Sequence, residues 1–285
     1  MFKITCLIAF VILSSIFKVS AQNTNASLWA DSIYKTLGND ERIAQLMVVR
    51  LSSIDGNTKK VTFYDEQVET LIKQYNIGGI CVFQGSPVKQ AGIINRLQAI
   101  AKTPILMCID AEWGVGIRMT DSVLPLPRQM MLGAMQDATI VYQYGKIVGE
   151  QCKRVGLQVN YAPVVEINNN PNNPVINDRS FGEDKYKVAS YGIEYMKGMQ
   201  EVGVMACAKH FPGHGDVDVD SHFELPVIKK TMAQLDSLEF YPFRQIFNAG
   251  IGSVMVAHLY IPAIDSTANR ATSLSLLNIK ELMRN

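Results

Sequence analysis

The sequence predicts an α/β fold of the TIM-type (β/α)8 barrel class, with about six of the eight strand–helix units present. Three observations carry this. Short apolar runs alternate with helix-patterned segments along the chain. Those runs lack period-two alternation, as strands do when both faces of a parallel sheet are covered. Polar and charged residues gather just after the apolar runs, where barrels keep their working loops. No Gly-rich dinucleotide or phosphate fingerprint follows the first strand, which argues against a doubly wound nucleotide-binding sheet.

Residues 26–45 carry helical character and residues 46–51 form a first apolar strand. Residues 52–60 read as polar loop. A helix is expected over 65–75, with Val68, Leu71 and Ile72 on one face, followed by a second strand at 78–83. Pro87 suits a helix start, and the helix continues over 88–101. The third strand, 104–110, ends in the carboxylate Asp110, and 111–127 is a long loop. A helix over 137–155 leads to a fourth strand at 157–162 and an Asn/Pro-rich loop at 168–178. Helix 185–202, strand 204–209, helix 232–249, strand 252–257 and a final helix 273–283 complete the pattern. A closed barrel needs eight units, so two are expected to be missing.

The 285 residues are 48% hydrophobic and 19% charged, enough for a large core. A net charge of +1 makes no electrostatic case for nucleic acid or anionic membrane. Residues 1–21 read as a secretory signal peptide rather than as fold. Lys3 precedes the apolar run 4–13, and Val19-Ser20-Ala21 has the small-residue pattern of a cleavage site before Gln22. The run is too short to span a bilayer comfortably. The expected mature domain, 22–285, is exported to the periplasm or secreted, without stable membrane insertion; an uncleaved anchor is the alternative. Cys81, Cys108, Cys152 and Cys207 show no paired close spacing and read as small buried hydrophobes.

The chemistry concentrates in residues 206–222. Three of the four histidines lie there, His210, His214 and His222, with Lys209, Asp216, Asp218 and Asp220. Pro212, Gly213 and Gly215 exclude a helix after the strand. In an extended loop, positions i and i+2 face the same side, so Asp220 and His222 are expected to meet. A carboxylate beside an imidazole stabilises imidazolium and sets its tautomer, which suits an acid/base catalyst near neutral pH. A solvated Asp/His turn is the plain alternative for such a pair in isolation. His214 and Asp216 read as loop-shaping residues. Zinc is disfavoured, because the His-x3-His spacing of His210 and His214 needs a helix that the prolines and glycines forbid.

The stretch Lys209-His210-Phe211-Pro212-Gly213-His214-Gly215-Asp216, with Asp220-Ser221-His222, resembles the signature of glycoside hydrolase family three, in particular its NagZ-type β-N-acetylhexosaminidases. Asp110-Ala111-Glu112-Trp113-Gly114 with Arg118 is similar to the family's Asp-x-Glu-Gly-Gly segment. Tyr161-Ala162-Pro163-Val164, Asn173-Pro174-Val175-Ile176 through Arg179-Ser180-Phe181-Gly182, and Met255-Val256-Ala257-His258 agree as well. The likeness covers roughly residues 40–285. Two positions depart from the pattern: Val115 stands where the family has an arginine, and Glu166 where it usually has an aspartate.

The resemblance implies retaining hydrolysis of terminal non-reducing β-N-acetylglucosamine, from peptidoglycan fragments or chito-oligosaccharides. Asp220 and His222 would serve as the acid/base pair, and Asp110, Arg118, Arg179, Lys209 and His210 would hold the terminal sugar. No metal or organic cofactor is implied. The family's nucleophile is an aspartate on the next strand, expected beyond Asn285, so the chain is expected to be a C-terminally incomplete barrel, inactive by itself. Two other readings stay open: a non-catalytic GlcNAc-binding protein, and a β-glucosidase-like member of the same family. Trp113 and His258 read equally as pocket-lining or as packing residues.

Overall fold

A six-stranded, wholly parallel sheet organises the protein, in the order β1-β4-β5-β6-β7-β8. The computed structural model describes residues 25–283; the expected signal peptide lies outside them. The strands are β1 (Val48–Arg50), β4 (Gly79–Val82), β5 (Leu106–Ile109), β6 (Val159–Asn160), β7 (Met205–Phe211) and β8 (Ser253–Val256). Consecutive members pair with one another, as in part of a (β/α) barrel.

The helices between them are α1 (Asn25–Thr36), α2 (Asn39–Ala44), α3 (Asp65–Tyr75), α4 (Pro87–Ile100), α5 (Gln129–Gly133), α6 (Ala138–Arg154), α7 (Lys185–Glu201), α8 (Met232–Ser237) and α9 (Phe240–Asn248). Their starts follow local chemistry. Ser86, Asp137 and Asp184 each cap a helix by accepting a backbone N–H, and Thr231 forms a capping box with Gln234. Helix α3 ends at Asn76, whose left-handed backbone stops the helix.

The main core lies between the sheet and the helices, with Leu51, Ile80, Met107, Ile109, Val148, Tyr195 and Met199 among its buried members. A smaller cluster of Val217, Ile228, Leu235, Phe240, Ala257, Leu259 and Ile261 underlies the loop that follows β7. That loop therefore rests on its own apolar floor.

Several expected elements are revised. Residues 52–63 are not a polar loop but an antiparallel hairpin, β2 (Ser52–Ile54) against β3 (Val61–Phe63). Asp55 makes the turn, its carboxylate accepting the N–H groups of Asn57 and Thr58. The expected helix 26–45 is two helices, and so is 232–249. The last segment is a 3-10 turn, Thr272–Leu274, and a wider π turn, Leu277–Leu282, rather than an α-helix. Burial on both faces holds for β4 but fails at β1 and β8, which are half-exposed because each is paired on one side only.

Candidate active site

Asp110 follows β5 directly and Lys209 lies within β7, at the carboxyl ends of strands separated by β6. Between Asp110 and Glu112 the backbone of Ala111 is clamped by the buried amide of Asn160. The Asn160 Oδ1 accepts the Ala111 N–H at 2.9 Å, and its Nδ2 donates to the Ala111 carbonyl at 3.0 Å. The Tyr195 hydroxyl, carried by α7, donates to the Glu112 carbonyl at 2.9 Å. Both carboxylates are thus aimed by backbone that cannot drift.

Lys209 is 1% exposed and ends between them, its Nζ 2.6 Å from Asp110 Oδ1 and 2.6 Å from Glu112 Oε1. Arg179, at the end of a 3-10 turn Asn177–Arg179, grips Glu112 with a two-pronged contact: Nε to Oε2 at 2.9 Å and Nη2 to Oε1 at 2.6 Å. Arg118 reaches back to the other carboxylate, its Nη2 3.2 Å from Asp110 Oδ2 and its Nε donating to the Asp110 carbonyl at 2.8 Å. The result is one connected chain of alternating charge, Arg118–Asp110–Lys209–Glu112–Arg179.

Burial works against the charges of Glu112, Lys209 and Arg179, and their neighbours overcome it. Glu112 is desolvated, yet the Lys209 and Arg179 charges hold its carboxyl well below the usual carboxylate range. Burial would lower the pKa of Lys209, but Asp110 and Glu112 raise it. Glu112 and Lys209 are therefore ionised at neutral pH. Lys209 and Glu112 are sealed in the interior, whereas Asp110, Arg118 and Arg179 keep part of their side chains open to solvent. The open groups are the ones able to exchange hydrogen bonds with a ligand.

A carboxylate–imidazole contact sits beside this chain. The backbone after β6 runs alongside β7, with the Val165 N–H donating to the Lys209 carbonyl at 2.9 Å. It delivers Glu166, 1% exposed, to His210. One carboxylate oxygen accepts both the His210 backbone N–H and, at 2.9 Å, its ring Nδ1. Burial opposes the charge on Glu166, and the His210 contacts hold its pKa below 4.5.

The loop after β7 is held at several points. At Gly215 an added Cβ would come within 1.9 Å of the Ile167 carbonyl oxygen, so only glycine lets the backbone pass. Gly213, at φ +135°, packs on Glu239. Lys230 joins Asp216, at 3.0 Å, to the buried Glu239. Asn173 donates to the His214 carbonyl at 2.7 Å, tying this loop to the one that carries Arg179. The His214 ring lies 5.9 Å from the His210 ring and meets Ser221 Oγ at 2.9 Å through Nε2. His214 and Asp216 thus serve as struts.

Next to Ser221 stand Asp220 and His222. Asp220 Oδ1 accepts the His222 backbone N–H at 2.9 Å and meets its ring Nδ1 at 2.7 Å. The two side chains meet through a tight turn, not through the extended i, i+2 geometry the sequence suggests: the Phe223 and Glu224 N–H groups fold back on the Asp220 carbonyl. The bonds from His222 to the Asp220 carboxylate, its backbone N–H foremost, lower the pKa of Asp220. Nδ1 of His222 is held by the carboxylate while 77% of the side chain stays exposed. The three loop histidines have different partners, Glu166, Ser221 and Asp220, and among the described residues no group of three His, Cys, Asp or Glu is placed to hold a metal ion.

The structure joins Asp110, Arg118, Arg179 and Lys209 in a single network, places His210 one residue along β7, and pairs Asp220 with His222 on the adjoining loop. Two residues absent from the sequence-derived site are central to it: Glu112, which bridges Lys209 and Arg179, and Glu166. Glu112 lies within the Asp110–Gly114 segment, and Glu166 follows the Tyr161–Val164 segment at a position where the family usually has an aspartate, so a signal existed for both. Trp113 packs under the Arg128 guanidinium, 4.5 Å from ring centre to Cζ, and His258 is exposed and bonded to Ser273 Oγ at 2.6 Å. Cys81, Cys108, Cys152 and Cys207 are free and buried.

Residues 39–285 match the family described as Glycosyl hydrolase family 3 N terminal domain. A β-hexosaminidase A of Pseudoalteromonas piscicida is 32% identical over 252 residues, which cover 81% of this chain and 42% of that protein. A β-hexosaminidase of Thiobacillus denitrificans is 31% identical over 199 residues, 67% of this chain and 55% of its own length. The chain therefore spans about half the length of these relatives. Among solved structures, a glycoside hydrolase family 3 β-N-acetylglucosaminidase from a Paenibacillus strain superposes with a TM-score of 0.79 at 36% identity, over 87% of this chain and 47% of that one. NagZ from Neisseria gonorrhoeae, in complex with N-trifluoroacetyl-D-glucosamine, gives 0.72 at 25% identity, over 84% of this chain and 70% of its own. With the partial barrel and its charged strand ends, these matches establish that the chain belongs to glycosyl hydrolase family 3 and carries that family's N-terminal domain.

Proposed function

We propose that this chain is the barrel domain of an exported, exo-acting β-N-acetylglucosaminidase. It acts on terminal non-reducing β-GlcNAc of peptidoglycan fragments or chito-oligosaccharides, with retention. The observation that carries this reading is the 2.7 Å contact between Asp220 and His222, on a loop rooted beside the Lys209–Asp110 pair. The relatives named as β-hexosaminidases support the substrate class.

Asp110, Arg118 and Arg179 offer their solvent-facing atoms to sugar hydroxyls and the acetamido oxygen, and buried Lys209 fixes Asp110 in place. His222 protonates the departing glycosidic oxygen and later draws a proton from water, while Asp220 stabilises the imidazolium formed in between. Retention also requires a nucleophilic carboxylate on the opposite side of the anomeric carbon. The apolar run 4–13 supports export through a cleaved signal.

The test measures release of 4-nitrophenol from its β-N-acetylglucosaminide, by the chain and by a longer polypeptide matching the relatives' length, with and without His222→Ala. The substitution is expected to lower kcat by about 10²–10⁴-fold, the usual worth of a general acid/base. Turnover indifferent to His222, or faster on the β-glucoside than on the β-N-acetylglucosaminide, would sink the proposal. Binding of GlcNAc without any hydrolysis by either form would turn it toward a sugar-binding protein.

A further inference from the structure

We propose that Glu166 is a positioning residue for His210: it keeps the ring proton on Nδ1 and leaves Nε2 as the nitrogen that meets a sugar hydroxyl. The inference rests on the reading of this site as a sugar site.

Both side-chain hydrogen bonds of Glu166 go to a single residue, one oxygen accepting the backbone N–H and ring Nδ1 of His210. Its other oxygen, Oε2, is buried with no hydrogen-bond partner. The side-chain hydrogen bonds of Glu166 thus serve His210 alone, although its charge is also felt by Arg179 and His214. Its own place is fixed, because the Ser180 hydroxyl donates to its carbonyl at 2.7 Å and the preceding Val165 N–H is bonded to Lys209.

A carboxylate kept ionised can only accept, so Nδ1 must carry the hydrogen. Two bonds from one oxygen to the backbone and ring of the same histidine also fix the ring's rotation. In the neutral ring Nε2 then bears a lone pair and accepts from a hydroxyl. The His210 side chain is 17% exposed, enough for one edge to reach a ligand. A histidine with the opposite tautomer would present a donor there and favour a different ligand group. This is the outer-partner logic by which a carboxylate sets imidazole orientation at other sites.

The test is a two-bond ¹H–¹⁵N correlation spectrum of the full ¹⁵N-labelled chain at pH 8, with His210 identified by the signal lost in His210→Gln. The expected pattern has a protonated Nδ1 and a bare Nε2. Glu166→Gln keeps an acceptor oxygen and should preserve that pattern. Glu166→Leu removes it and should move the proton to Nε2. In parallel calorimetric titrations, GlcNAc affinity is expected to stay within about threefold in Glu166→Gln and to fall by about tenfold or more in Glu166→Leu, the cost of one misdirected hydrogen bond.

Should the leucine variant fail to fold, the wild-type and glutamine spectra decide alone. A wild-type proton on Nε2, or a glutamine variant that loses the Nδ1 proton, overturns the assignment. A correct tautomer in a chain that binds no GlcNAc upholds the Glu166 role and overturns the sugar-site reading instead.

Discussion

Lys209 with its two carboxylates and His222 with its one are the same interaction in opposite surroundings. Lys209 and Glu112 are 1% and 4% exposed, whereas His222 and Asp220 are 77% and 30% exposed. In the buried group the low dielectric magnifies both the attraction and the cost of losing a partner. In the loop pair, water screens the charges, so the contact orients the ring and adds little to stability. One site thus divides its labour. Groups that must not move are desolvated and cross-braced by four elements. The group that, in the proposed function, exchanges a proton with a leaving group and then with water stays in water's reach.

The sharpest way to break this contrast is to remove Lys209. Lys209→Met keeps the stem but leaves Glu112 and Asp110 short of a buried counter-charge, and should destabilise the domain by about 3–5 kcal/mol. His222→Ala, measured by the same denaturant titrations, should change stability by no more than about 0.5 kcal/mol. Equal losses in the two variants would erase the distinction between braced and mobile halves.

Arg179→Lys sharpens it further. The charge survives but the two-pronged contact with Glu112 does not, and the expected loss is about 1.5–3 kcal/mol, that of a charged hydrogen bond. If lysine proved as good as arginine, the contact would be simple charge balance, and geometry would have no part in it.

The smallest effect is in the pH dependence. Burial depresses the pKa of His214 below its usual 6.5. The folded state thus favours the neutral ring, and the corresponding stability is whole above pH 6.5 and erodes as pH falls below it. Glu112 and Glu166 are both held below 4.5, by cationic and His210 contacts that outweigh burial. Their share is present above pH 4.5 and is lost only as pH drops through their folded-state values. Melting temperature against pH should therefore fall in two stages. His214→Gln should remove the upper stage and leave the lower; an upper stage that persists would place the acid-sensitive group elsewhere.

The order of elements was legible because burial patterns are local. An apolar run between breakers reads as a covered strand wherever it lies, so all six strands of the parallel sheet were anticipated. The hairpin β2–β3 was missed because three-residue strands carry too little alternation, although Asp55-Gly56 marked its turn. The ends of the sheet defied the rule for a tertiary reason: β1 and β8 have one neighbour each, so their side chains cannot be covered on both faces.

The site divides along the same line. Asp110 and Lys209 could be placed from sequence because a polar residue closing an apolar strand has few destinations. Glu112 and Glu166 could not be ranked, because their importance lies in partners 97 and 44 positions away, reached only once β5, β6 and β7 align. The sequence by itself determined the alternation of strands and helices, the loop with its three histidines, and the Asp220–His222 pair, all set by neighbours along the chain. Only the tertiary structure decided that Arg118, Asp110, Lys209, Glu112 and Arg179 form one charged chain, because packing across the sheet determines which ionised groups give up water together and must therefore pair.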